Sequence, residues 1–111
     1  MVKQGDIIII NFSPQQGHEQ AGKRLAVVVS NNFFNAKSNM TLVCPITNTN
    51  NSYPLHIPLD ERTRTKGVIL CEDIKVLDIT ARQYKIVERL PIDILEEVID
   101  IIYAEIEILN D

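Results

Sequence analysis

The chain has 111 residues, 45% of them apolar and 23% charged, with a formal net charge of −4. That length gives one domain, 1–111, with a single modest core, and no apolar run approaches the ~18 residues of a membrane span. The charge falls far short of a strongly basic nucleic-acid binder, and two cysteines make neither a disulfide framework nor a metal site.

The N-terminus, MVKQGD, lacks the apolar core of a signal peptide, so a soluble cytoplasmic protein is expected. Asp6 to Phe12 then reads as a strand. Its four consecutive isoleucines suit burial on both faces, because β-branched side chains favour the pleat. The stretch GHEQAGKR, Gly17 to Arg24, is too long and too charged for a tight hairpin turn. Leu25 to Ser30 is a second strand, so Arg24 stands on the rim of a sheet with His18, Glu19 and Gln20 on a loop above it. Loops held by a rigid scaffold commonly carry recognition and catalytic groups.

NNFFNAKSNM is polar at both ends, with Phe33 and Phe34 in the middle, and is either a short helical turn or a pinned loop. Thr41 to Thr47 is a third strand. Pro45 inside it cannot donate a ladder hydrogen bond, which predicts an edge or a bulge. Cys44 and Cys71 each sit in apolar runs and read as buried free thiols. After the polar loop Asn48 to Pro54, Leu55 to Leu59 alternates apolar and other residues as a strand does. DERTRTKG, Asp60 to Gly67, is a charged loop. Val68 to Cys71, Ile74 to Ile79 and Tyr84 to Val87 are further short strands, and strands of this length between turns predict a small barrel or sandwich.

Pro91 to Leu109 alone has a helical period. Ile92, Leu95, Ile99, Ile102, Ile106 and Leu109 recur every three or four residues, and Pro91 suits a helix start. The apolar stripe is wider than one small sheet requires, so it serves either the core alone or a homodimer as well. Residues 91–111 hold seven of the 15 acids and none of the 11 Lys and Arg residues. Eight acids against 11 bases remain in residues 1–90, a net of +3 on the body of the chain. Such asymmetry can mark a surface for an anionic partner.

Taken together, Gly5-Asp6, Ser13-Pro14, Gly17-His18-Glu19-Gln20, Gly22 and Arg24 resemble the N-terminal signature of the MazF/PemK toxin family. Pro45 to Thr47 resembles that family's second block and Gly67 to Asp78 its third, so the resemblance covers essentially the whole chain. Leu25 replaces the Pro that usually follows the Arg, and Asp73 stands where Gln is common.

The resemblance implies a mainly β fold with a C-terminal helix, a small, strongly bent SH3-like antiparallel barrel, and a homodimer. It implies a metal-independent, ribosome-independent, sequence-specific endoribonuclease without a cofactor. Its partners would be single-stranded RNA and a MazE-like antitoxin with an acidic segment. Arg24 and Thr47 are then the core catalytic pair: Arg24 would stabilise charge on the phosphorane and Thr47 would donate to the same phosphate. Glu19 and Gln20 rank second and His18 third, and the proton-transfer groups stay open between them.

Candidates for RNA binding are Phe33, Phe34 and Tyr53 for stacking and Asn31, Asn48, Asn50 and Asn51 for base edges. Arg62, Arg64, Lys66 and Lys75 would track phosphates. Glu72 either lines the site or holds a buried hydrogen-bond network. Two alternatives remain on the same fold: a gyrase-poisoning toxin of the CcdB type, and a catalytically silent binding module.

Overall fold

The computed structural model describes residues 1–12, 22–48 and 54–110. Among them, seven strands and two α-helices follow in the order β1 (Asp6–Asn11), β2 (Lys23–Val28), α1 (Asn32–Ser38), β3 (Thr41–Thr47), β4 (His56–Pro58), β5 (Val68–Leu70), β6 (Lys75–Leu77), β7 (Tyr84–Arg89) and α2 (Ile92–Ile106). A short 3-10 turn, Ile79–Ala81, precedes β7. Every strand pairing is antiparallel. The strand path runs β4-β5-β3-β2-β1-β7, with β6 also on β3. The fold is thus mainly β with a C-terminal helix, as expected, and the barrel is open rather than closed.

Three of the four isoleucines are buried as expected; Ile9 is only half-buried. Ile7 joins one apolar cluster, with Val27, Cys44, Ile46, Ile57, Ile69 and, from α2, Ile94, Leu95 and Val98. Ile8 and Ile10 point the other way, into a second cluster with Ala26, Val28, Val43, Leu77 and Ile79. Ile7, Ile8 and Ile10 are fully buried, each contributing about 1.5–3 kcal/mol of transfer free energy.

Pro45 departs from the expected edge. It lies in β3, paired with Ala26 of the neighbouring β2. On its other side β3 pairs with β6 at Thr41, Leu42 and Val43, and with β5 at Ile46 and Thr47. The ladder changes partner across Cys44 and Pro45, so a residue without an N–H sits where that edge is already interrupted.

β2 begins at Lys23, two residues before the expected start, which puts Arg24 inside the strand. NNFFNAKSNM resolves as helix α1. The Asn31 side chain accepts from the Phe34 N–H as N-cap, and Asn39 ends the helix in the left-handed region at φ 61°. α2 stops at Ile106, short of the expected Leu109, and Glu107 is extended. Its last turn carries no basic residue to complement the negative end of the helix dipole, while Glu105 and Glu107 oppose it.

Candidate active site

The residues singled out at the two ends of the sequence signature meet through strand register. In the β1–β2 ladder Ile10 faces Arg24 and Ile8 faces Ala26. Arg24 therefore shares the sheet face of Ile8, Ile10 and Ala26. In the β2–β3 ladder Ala26 faces Pro45. The pairs of this ladder end at Ala26 and Pro45; continued two residues beyond them, its register would bring Arg24 level with Thr47. By the alternation of strand side chains both residues then belong to one face, at the neighbouring ends of β2 and β3. Both sit where the apolar core gives way to solvent: Arg24 is exposed and Thr47 half-buried.

Thr47 is held from its other side by β5, where it pairs with Val68. Gly67, just before, takes φ +122°, and a Cβ there would lie 2.3 Å from the Thr47 carbonyl oxygen. No side chain fits this approach, which is why the charged loop ends in Gly.

Phe12 completes the rim. It continues the alternation of Ile8 and Ile10 and packs on the second cluster. The Arg24 guanidinium lies 5.6 Å from its ring centroid, and the Lys75 ammonium 5.9 Å. Lys75 arrives from β6, opposite Val43, and also pairs with Asp73 at 3.2 Å. Phe12 was not among the sequence candidates beyond its place as the strand's end. Its signal was present in the period-two spacing 8, 10, 12, which puts an aromatic on the face of Arg24.

The segment carrying His18, Glu19 and Gln20 lies outside the described residues, as do Asn50, Asn51 and Tyr53. Its two ends are placed: the Phe12 N–H donates to the Gly22 carbonyl at 3.1 Å.

Residues 3–104 match the family described as PemK-like, MazF-like toxins of type II toxin–antitoxin systems. The chain belongs to this family. It is 40% identical over 78 residues to the endoribonuclease toxin MazF of Escherichia coli K12, covering 70% of this chain and 69% of that protein. It is 35% identical over 113 residues to the endoribonuclease toxin ChpB of the same strain, covering 95% and 94%. Among solved structures, MazF in a MazE–MazF complex from Deinococcus radiodurans superposes with a TM-score of 0.87 at 30% identity, covering 97% of each chain.

On the PemK/MazF frame, Glu72 sits two residues past the end of β5. Its Oε2 lies 3.0 Å from Nε2 of His56, whose side chain is only 7% exposed. His56 faces Leu70 across β4 and β5, with Ile57 beside it in the core. The sequence placed His56 on the face away from Ile57 but gave no reason to pair it with Glu72, since 16 residues separate them.

The remaining basic candidates differ in how free they are. Arg62 donates to both carboxylate oxygens of Asp93 at 2.9 and 3.0 Å and to Asp60 at 2.9 Å, which fastens the 60–67 loop to the start of α2. Hydrogen bonds donated to Asp93 and then Asp60 raise the guanidinium pKa, and Arg62 in turn holds both carboxyls below their ordinary range. Arg64 and Lys66 are exposed on the same loop. The backbone N–H groups of Arg64 and Thr65 and the Thr65 hydroxyl all donate to Glu88. Burial pushes the Glu88 carboxyl up, but those hydrogen bonds outweigh it and the net shift is downward.

Asn48 directly follows Thr47 and is exposed. Asn31, Phe33 and Phe34 lie past the far end of β2. Asn31 lies seven positions from Arg24, at most about 23 Å along an extended chain. Phe33 is 73% exposed there, with Lys37 over its ring. No group of three or more metal-ligating side chains occurs among the described residues. Among them, too, no helix is long and apolar enough to cross a membrane.

Proposed function

We propose that this chain is a sequence-specific endoribonuclease toxin that cuts single-stranded mRNA without ribosomes or metal, and that a MazE-like antitoxin neutralises it. The observation that carries the reading is the pairing of β2 with β3, which leaves Arg24 and Thr47 at neighbouring strand ends, in a chain whose named relatives are endoribonucleases. In the proposed reaction the substrate's own 2′-oxygen attacks the adjacent phosphorus. The bond to the 5′-oxygen breaks, and the 2′-hydroxyl proton passes to a base while an acid protonates the leaving oxygen. Arg24 stabilises the charge on the phosphorane, and Thr47 donates to one of its oxygens. Glu19, Gln20 and His18 are the candidates for proton transfer and orientation, and Glu72 lines the approach together with His56.

An mRNA substrate places the activity in the cytoplasm. The acidic segment of an antitoxin would compete for the same cations. The MazE–MazF assemblies among the structural neighbours support an antitoxin partner. A homodimer is favoured by the outer stripe of α2, where Ile92, Tyr103 and Ile106 are 66%, 66% and 70% exposed in the single chain.

The test incubates purified protein with a long, mostly unstructured RNA in EDTA and maps cuts by primer extension. Discrete cuts at one short motif are expected. Arg24→Ala should lower the rate by about 10²–10³-fold or more, the scale of losing a main electrostatic stabiliser. No cuts from folded protein, or identical cuts from Arg24→Ala, would turn the reading toward a gyrase-poisoning toxin or a silent binding module.

A further inference from the structure

We propose that Phe12 is a positioning residue of this site, its ring gathering the Arg24 guanidinium and the Lys75 ammonium into one paired cation site for an RNA phosphodiester. The inference rests on the endoribonuclease reading and assigns a residue and a second cation to it.

An exposed Arg24 and a half-buried Lys75 on one sheet face repel each other and, left alone, swing apart into water. Here both meet the same ring, at 5.6 and 5.9 Å from its centroid. The negative face of an aromatic ring attracts each, and sharing it offsets their repulsion. Among the described residues Arg24 makes no ion pair, and its guanidinium lies over the Phe12 ring instead. Lys75 has Asp73 as well, which keeps its ammonium on the near side of β6.

Phe12 is anchored through its packing and its backbone. Its side chain packs on the second apolar cluster. The Phe12 N–H donates to Gly22. Arg82, 70 residues away in the chain, donates from Nη1 to the carbonyls of Asn11 and Phe12 at 2.7 and 3.1 Å. A phosphodiester entering beside Thr47 would thus meet two cations already converged, rather than one flexible Arg and one stray Lys. Preorganised charge of this kind acts on the transition state more than on ground-state binding.

The experiment measures kcat and KM on an RNA oligonucleotide carrying the mapped cut site. Phe12→Leu keeps apolar packing and removes the π face; Phe12→Tyr keeps both. Each cation–π contact is equivalent to about two- to fivefold, so Phe12→Leu is expected to lose about tenfold in kcat with KM within about twofold. Phe12→Tyr should recover to within about twofold of the parent. A Leu variant with parental kcat, or a Tyr variant as impaired as Leu, would overturn the proposal.

A second measurement needs no catalysis. The chain has no Trp, so Phe12→Trp adds a single reporter at the ring. Arg24→Met and Lys75→Met, each combined with it, should shift its emission. Absence of a shift from both would also overturn the arrangement. If the parent protein cuts no RNA, the nuclease reading fails while this second measurement still judges the ring.

Discussion

Gly67 shows how much of the site depends on one missing methyl group. Its φ of +122° is costly for any L side chain, and a Cβ would overlap the Thr47 carbonyl at 2.3 Å. Gly67→Ala is expected to lower stability by at least about 1–3 kcal/mol, the usual cost of backbone strain with a clash. It should also reduce RNA cleavage by displacing Thr47 from its place at the end of β3. Urea unfolding reads the first effect and a cleavage assay the second. A stable, fully active Gly67→Ala variant would show that Thr47 tolerates movement. At this scale the sequence was partly legible. Arg24 and Thr47 stood out because their blocks resembled a known family, and a guanidinium and a hydroxyl suit the phosphate chemistry that the resemblance implies. Phe12 and His56 did not stand out, since their roles come from partners distant in the chain, Lys75 for one and Glu72 for the other.

Helix α2 is the element whose limits depend most on charge. Its stripe of Ile and Leu was plain in the sequence, and Ile94, Leu95 and Val98 do pack on the sheet. Where it ends was less plain, because the apolar spacing continues to Leu109 while the backbone does not. Acids at the C-terminal end and no compensating base explain the early stop. Glu105 is the clearest case. Desolvation, and then the nearby Glu72 charge, raise its pKa above the ordinary 4.5. A carboxyl with a raised folded-state pKa penalises the folded protein once it ionises. The penalty is absent below about the unfolded value and fully present above the folded one. Glu105→Gln is therefore expected to raise the thermal midpoint at pH 7, with the gain vanishing as pH falls below about 4.5. Thermal unfolding across that pH range checks it, and a gain that persists in acid would mean the effect is not electrostatic.

Across the whole molecule, β3 is the organising strand. It carries β2 on one side, and β6 and then β5 on the other, so the sheet bends around it and gathers Thr47, Arg24 and Lys75 at one end. The same bend buries Cys44 and Cys71 in one cluster beneath α2. Burial, and then surrounding carboxylates, push the Cys71 thiol up to about 12; burial followed by Cys71 itself raises Cys44 as well. Neither thiol then offers thiolate at pH 8. Alkylation by iodoacetamide at that pH should be negligible in the native protein and fast in denaturant, read by mass spectrometry. Rapid native labelling would mean that α2 lifts from the sheet.

The sequence by itself determined what local chemistry can determine. Isoleucine runs made a two-faced strand, the three-four spacing made a helix, Asn and Gly closed turns, and the signature blocks pointed to the family. Tertiary structure alone decided which of those blocks touch. The β2–β3 pairing left Arg24 and Thr47 at neighbouring strand ends, and the double pairing of β3 brought Lys75 to the Phe12 ring and gave Pro45 a central place. It also spent Arg62 on the α2 carboxylate of Asp93 rather than leaving it to solvent. The physical reason is that pairing between strands is fixed by the packing of both sheet faces at once, and no local stretch of residues contains that information.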